Sequence, residues 1–262
     1  IMSKTWSEEN FAMSPQNWDA GQETFSATNA LGTGPFKITL REPNTKTVFK
    51  RNKHWWGEME DKKVTQIQLL PIKNAATRVA ALLSGEIDLV TDAPVQDLKR
   101  IGSASAHKVA STPQMRTIFL GMDQSVDQLR TGNTGDNPFK KKEVRQALYQ
   151  AIDIEAIKKK VMRGLSEPAG IITFPGVNGY TKDLDKRLPY DVDAAKKLLA
   201  DAGYPNGFDV ELRCPNDRYV NDEAICTAVV GMLGKIGVNV NLFAQTKSKH
   251  FKELKDNQGD FY

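Results

Sequence analysis

Histidine and cysteine are scarce in this chain of 262 residues, which has three histidines and two cysteines. His54, His107 and His250 are far apart, and none has a second histidine or a cysteine at helical spacing. Cys214 and Cys226 belong to no Cys-x-x-Cys motif and have no histidine cluster near them. Zinc sites need such groups of ligands at short spacing. The sequence therefore predicts no metal site and no cofactor held by these residues.

Long apolar runs and catalytic motifs are also missing. No stretch approaches about 18 consecutive apolar residues, the length that spans a membrane as a helix. No Gly-x-Ser-x-Gly elbow occurs. The 32 acidic residues are what a soluble surface of this size carries, and no set of residues fills the roles that an active site requires. We predict that the chain is not an enzyme. A small-ligand hydrolase stays open as an alternative, because the separation of two carboxylates is a three-dimensional property.

The charge of the chain is nearly balanced. The formal net charge is +4, with 36 basic and 32 acidic residues. The densest basic clusters, at 140–142 and 158–160, fall on predicted helices, where a solvated face is the ordinary interpretation. No aromatic residues alternate with them, as a platform for single-stranded nucleic acid would need. We predict no nucleic-acid partner, with a basic interaction module kept as a second alternative.

The segment ALGTGPFKITL at 30–40 raises the question of a phosphate loop. Such a loop needs a following helix and, commonly, a Gly-Lys-Ser/Thr ending. Here Pro35 follows Gly34 and removes an N–H donor. Phe36, Ile38 and Leu40 then alternate with polar residues, which is the period of a strand with one buried face. The segment is predicted to be a turn that leads into a strand.

The rest of the chain alternates between strand-like and helix-like periods, which predicts an α/β protein. Short strands are expected at 87–90, 107–111 and 117–122, and a long polar loop at 123–138. Asp153, Asp191 and Asn221 stand where helix N-caps are expected. These segments predict a layered domain without internal repeats.

Residues 204–242 read as a βαβ unit. Phe208, Val210, Leu212 and Cys214 alternate as one strand, a helix with an apolar face follows Asn221, and a second alternating run begins at Val238. A helix between two such strands predicts parallel pairing. Cys214 and Cys226, twelve residues apart, are compatible with two buried free thiols or with a disulfide that closes a short loop.

Six motifs in this sequence, in order, resemble one family: the large extracellular solute-binding proteins of the peptide/nickel/opine class, which deliver ligands to ABC importers. The motifs are GTGPF at 32–36, RNKHWWG at 51–57, ATRVAALLSGEIDLV at 76–90, FLGMDQ at 119–124, VRQALYQAIDIEAI at 144–157 and AKKLLADAGYPNGF at 195–208. Each motif is weak alone, but their order over nearly the whole chain is specific to that family.

The resemblance implies a periplasmic-binding-protein-like fold of two lobes, present here only in part. Residues 1–120 are then part of lobe I, and residues 121–262 are lobe II without its last part. A signal peptide and further strands would precede Ile1, and the rest of both lobes would follow Tyr262. Such an incomplete cleft would bind ligand poorly by itself.

The resemblance also implies a location and partners. The location is the periplasm or, for a lipoprotein, the cell surface, and oxidising compartments favour a Cys214–Cys226 disulfide. The expected partners are a peptide or similar small ligand and the membrane permease of an ABC importer, with the protein itself a monomer. The ligand would be trapped by hinge closure of the two lobes.

The resemblance further implies ligand-binding residues in the segment after the first strand of the βαβ unit. In dipeptide-type members an arginine at this place binds the ligand's carboxylate, and the matching residue here is Arg218. A guanidinium suits a carboxylate because it donates two parallel hydrogen bonds. Asn216 and Tyr219 lie on the same segment and are weaker candidates. The alternative is that Arg218 forms an ordinary ion pair with Asp217 or Asp222.

Overall fold

The computed structural model describes residues 2–14, 25–58 and 64–262. By compactness the chain divides into two units, Ile1–Arg78 and Val79–Tyr262. This boundary lies inside one helix and reflects local compactness only. The predicted boundary between the two lobes, at residue 120, is a different boundary and stays a prediction.

The first unit is built on an antiparallel three-stranded sheet in the order β1-β2-β3. Its elements are α1 (Lys4–Glu9), α2 (Phe25–Asn29), β1 (Phe36–Glu42), β2 (Lys46–Arg51) and β3 (Gln66–Leu69). The strand predicted after the GTGP turn is confirmed, since β1 begins at Phe36. The register of β1 against β2 shifts between Ile38 and Leu40. This bulge explains why the predicted inward alternation ends at Ile38 and leaves Leu40 exposed.

The second unit holds the other helices and a parallel strand pair. Its elements are α3 (Ala75–Ser84, shared with the first unit), α4 (Leu98–Ser103), α5 (Lys142–Ala151), α6 (Ile154–Ala156), α7 (Val192–Asp201), β4 (Asp209–Pro215), α8 (Asp222–Gly234), β5 (Asn239–Gln245) and α9 (Lys247–Lys255). A π-helical turn, Ile157–Val161, follows α6. Asp153 and Asp191 cap their helices as predicted, accepting hydrogen bonds from the N–H groups of Ala156 and Ala194.

The predicted βαβ unit is confirmed. β4 and β5 pair in parallel from Asp209↔Asn239 to Pro215↔Gln245, and α8 connects them. Phe261 forms a parallel β-bridge with Leu212 and an antiparallel β-bridge with Met122. The short segments around residues 122 and 261 therefore extend this sheet beyond β4.

One large core fills the space between this sheet and helices α5, α7 and α8. Its largest fully buried members include Phe139, Val144, Leu199, Val210, Leu212, Val229, Leu233 and Phe261. A smaller cluster forms around Val79, Leu82 and Ile101. The rigid layer under the ends of β4 and β5 is thus the best packed part of the described chain.

Two predicted strands are wrong, and a third forms only at its end. Segments 87–90 and 107–111 have neither helix nor strand geometry in the structure. Their alternating sequence fits a strand, but a strand needs a neighbour with which to share backbone hydrogen bonds. In the segment 117–122 the last two residues have such a neighbour, since Gly121 and Tyr262 exchange backbone hydrogen bonds and Met122 bridges Phe261.

Candidate functional site

The candidate site lies at the edge of the sheet where β4 and β5 both end. Since the last paired residues are Pro215 and Gln245, the segments that follow leave the sheet side by side. The Asn216 N–H donates to the Gln245 carbonyl at 2.9 Å. The Asp217 carboxylate accepts from the Lys247 N–H. The carboxyl ends of parallel strands are the usual ligand-binding edge of α/β sheets.

The Asp222 carboxylate fixes the backbone of the loop between β4 and α8. Its Oδ2 accepts from the N–H groups of Arg218 at 2.9 Å and Tyr219 at 3.0 Å, and its Oδ1 accepts from the N–H of Glu223. Asp222 is buried, with 7% exposure. These bonds also place a negative charge at the N-terminus of α8, where it is favoured.

The predicted side-chain cap by Asn221 is wrong. Asn221 adopts the left-handed conformation, with φ of 55°, and makes no capping hydrogen bond. Its side-chain amide donates instead to the Val161 carbonyl at 2.8 Å. Asparagine tolerates this conformation better than most residues. The next residue, Asp222, satisfies the loop's N–H groups in its place.

The Arg218 side chain is exposed and lies beside Tyr219. Its guanidinium carbon is 4.9 Å from the centroid of the Tyr219 ring. The alternative ion pair with Asp217 or Asp222 is not observed in the described residues, and both carboxylates instead accept from backbone N–H groups. In the described part of the chain, no carboxylate lies within ion-pair distance of the Arg218 guanidinium. Its donors remain available for an anion.

The other two predicted residues lie on the same loop. Asn216 is exposed at its start, and Tyr219 is half-buried. A residue that the sequence analysis did not find joins them: the guanidinium carbon of Arg116 is 5.7 Å from the Tyr219 ring centroid. Arg116 is far from Tyr219 in sequence and lies in no helix or strand. No local pattern signals a contact across that distance.

A disulfide spans the base of the loop. Cys214 and Cys226 are joined, with their Cα atoms 6.6 Å apart. Cys214 lies at the buried end of β4 and Cys226 in the second turn of α8. The bridge encloses the whole segment that carries Asn216, Arg218 and Tyr219.

A buried polar layer supports the same edge of the sheet. Glu253 of α9 accepts from Arg213 Nη1 at 2.6 Å and from Gln245 Nε2 at 2.8 Å. The hydrogen bond from Gln245, together with the charge of Arg213, lowers the pKa of Glu253. His250 is 4% exposed, and its burial lowers its pKa. These contacts hold α9 against the ends of β4 and β5.

Two other kinds of feature are absent from the described residues. No group of three or more His, Cys, Asp or Glu side chains in residues 2–14, 25–58 and 64–262 has the arrangement of a metal site. Within the same residues, no helix has the length and apolar character needed to cross a membrane.

Comparison with known proteins places this geometry in a family. Residues 5–262 match the profile of the bacterial extracellular solute-binding proteins, family 5. The chain is 26% identical over 245 residues to heme-binding protein A of Haemophilus influenzae, covering 91% of this chain and 42% of that protein. It is also 26% identical over 245 residues to a dipeptide-binding protein of Pseudomonas aeruginosa, covering 92% of this chain and 44% of that protein.

A solved structure has the same fold over the entire chain. The dipeptide binding protein from Pseudoalteromonas sp. SM9913, in complex with Met-Leu, matches with a TM-score of 0.74 and 24% identity. The match covers 100% of this chain and 48% of that one. The chain therefore spans less than half the length of these relatives and has part of the two-lobed α/β fold of periplasmic binding proteins. By the match over residues 5–262, the chain belongs to the bacterial extracellular solute-binding proteins, family 5.

Proposed function

We propose that this chain belongs to the ligand-capturing component of an ABC importer, and that Arg218 binds a carboxylate of a peptide or similar small ligand. The observation that carries the proposal is the state of Arg218. Its side chain is exposed, its backbone is fixed by Asp222, and its guanidinium has no carboxylate partner in the described residues. A preorganised guanidinium without a counter-charge is suited to a ligand's carboxylate.

The names of the relatives support this class of ligand. One is a dipeptide-binding protein and another was solved with Met-Leu. Both are named as binding proteins, which supports a role without catalysis. On this proposal the ligand is enclosed between lobe I, which includes residues 1–120, and lobe II, which includes residues 121–262. Contacts with the ligand stabilise the closed form relative to the open form. The closed protein then delivers the ligand to the permease.

The disulfide supports a location outside the cytoplasm. Disulfides persist in oxidising compartments such as the periplasm and are rare in the cytosol. We propose that the protein acts there, in the periplasm or as a lipoprotein at the cell surface, as a monomer and without nucleic acid.

The test is the affinity for Met-Leu and for the same dipeptide with its C-terminal carboxylate amidated, measured by calorimetry on the protein as its host produces it. We expect tight binding of Met-Leu only, and a loss of at least about ten-fold in Arg218→Gln. Arg100→Gln is the matched control, since Arg100 is an exposed arginine of α4 that pairs with Asp97 of the same segment. Equal affinity for the free and the amidated dipeptide would remove Arg218 from the proposed role.

A further inference from the structure

Two arginines share one tyrosine at this site. Arg116 and Arg218 have their guanidinium carbons 5.7 Å and 4.9 Å from the Tyr219 ring centroid. Each contact is a favourable cation–π interaction. The two positive charges also repel one another, because they are held near the same ring. An anion bound next to both guanidinium groups would reduce that repulsion.

The surrounding acids do not neutralise the pair. Asp222 accepts from three backbone N–H groups, and Asp217 accepts from the Lys247 N–H. Glu223, also exposed on this segment, has no ion pair with either arginine. Among the described residues, no carboxylate is within ion-pair distance of the Arg116 guanidinium. Among the described residues, Arg116 and Arg218 thus have no carboxylate counter-charge, and one must come from a ligand or from solvent.

Arg116 is held in place although its segment is neither helix nor strand. Its neighbour Thr117 donates from Oγ1 to the Ile172 carbonyl at 2.7 Å. Its own N–H donates to the Gln114 carbonyl at 2.8 Å. The Thr117 hydrogen bond connects the segment that carries Arg116 to Ile172 and so favours the position of Arg116 near Tyr219.

We infer that Arg116 is a second anion-binding residue, and that the ligand carries two carboxylates close together, as in a dipeptide with an acidic C-terminal residue. The inference rests on the proposed function of Arg218. Arg218 binds the terminal carboxylate, and Arg116 binds the side-chain carboxylate of the same residue. The shared contact with the Tyr219 ring keeps the two guanidinium groups near one another.

The test compares Met-Glu with its neutral isostere Met-Gln by calorimetry, on the protein as its host produces it. We expect Met-Glu to bind roughly ten-fold more tightly than Met-Gln. In Arg116→Gln the ratio of the two affinities should fall to about one, and Arg100→Gln should keep the wild-type ratio. In Arg218→Gln both dipeptides should bind more weakly.

The outcomes separate the two claims. Equal binding of Met-Glu and Met-Gln by the wild type, with Arg218→Gln still weakening both, overturns the role of Arg116 and leaves that of Arg218. A preference for Met-Glu that survives in Arg116→Gln also overturns the role of Arg116. Absence of binding of Met-Leu, Met-Glu and Met-Gln by the wild type overturns both proposals together.

Discussion

At the scale of single residues, Asp222 organises the candidate site although it is itself buried. Its carboxylate accepts hydrogen bonds from the N–H groups of Arg218, Tyr219 and Glu223. These bonds fix the backbone from which the Arg218 and Tyr219 side chains project. A sequence pattern identified the start of α8 but assigned the cap to Asn221. Asparagine and aspartate are both good caps, and only the backbone conformation decides between adjacent candidates.

Replacing Asp222 should loosen the loop. In Asp222→Ala, three backbone N–H groups lose their acceptor, and we expect the free energy of unfolding to fall by about 1–3 kcal/mol. In Asp222→Asn the free energy of unfolding should fall by less, because asparagine keeps one side-chain oxygen that can accept. Urea denaturation followed by circular dichroism measures both values. An unchanged midpoint in Asp222→Ala would show that solvent replaces the carboxylate without cost.

His250 should make stability depend on pH near neutrality. Burial lowers the pKa of His250 below its ordinary value of 6.5, so the folded protein binds fewer protons there than the unfolded chain. Stability is therefore full above pH 6.5 and decreases as the pH falls through 6.5 toward the lowered folded-state pKa. The nearby charges of Glu253 and Asp222 oppose the shift, and Arg213 adds to it.

The check is urea denaturation of the wild type and of His250→Gln over this pH range. Glutamine does not titrate, so the variant should lose less stability than the wild type as the pH falls. Identical pH dependence in the two proteins would contradict the assignment to His250.

At the scale of secondary-structure elements, the disulfide joins β4 to α8 around the loop. In the chain-entropy model a bridge that closes a loop of this length stabilises the folded state by about 3 kcal/mol. Dithiothreitol should therefore lower the urea midpoint of the wild type, and it should leave that of the double variant Cys214→Ala, Cys226→Ala unchanged. A wild-type midpoint that does not respond to full reduction, verified by thiol titration, would contradict this account.

Two glycines in the βαβ unit should respond in opposite directions to alanine. Gly207 has φ of 73°, and a Cβ there would overlap the Gly237 carbonyl of the turn before β5. Gly231 lies inside α8 with nothing within 4 Å of an added Cβ. We expect the free energy of unfolding to fall by at least about 1–2 kcal/mol in Gly207→Ala and to rise by about 0.5–1 kcal/mol in Gly231→Ala. Thermal denaturation of the two variants measures both changes. If Gly207→Ala is as stable as the wild type, the turns at Gly207 and Gly237 can move apart to admit the added methyl group.

How far the sequence predicts these elements depends on whether the signal is local. The caps by Asp153 and Asp191 and the pairing of β4 with β5 were predictable, since each follows from a short pattern. The strands expected at 87–90 and 107–111 were not formed, because pairing depends on a distant partner. Arg116 escaped prediction for the same reason, since its approach to Tyr219 is a tertiary contact. Arg218 was found only through the family's motif, and its geometry became visible only in the structure.

At the scale of the whole molecule, the proposed function involves two lobes that both contribute to ligand binding. The chain spans 42% of heme-binding protein A of Haemophilus influenzae and 48% of the dipeptide binding protein solved with Met-Leu. The candidate site offers positive charge from Arg218, after β4, and from Arg116, which lies in no helix or strand. Groups that bind the rest of a ligand lie elsewhere on this proposal, and closure brings them together.

The measurement that tests the central claim most directly is native mass spectrometry of the protein purified gently from its host. We predict a retained small molecule with a free carboxylate, present in the wild type and in Arg100→Ala and absent in Arg218→Ala. A retained molecule that persists unchanged in Arg218→Ala, or a wild-type protein that retains nothing and binds none of the dipeptides above, would contradict the account.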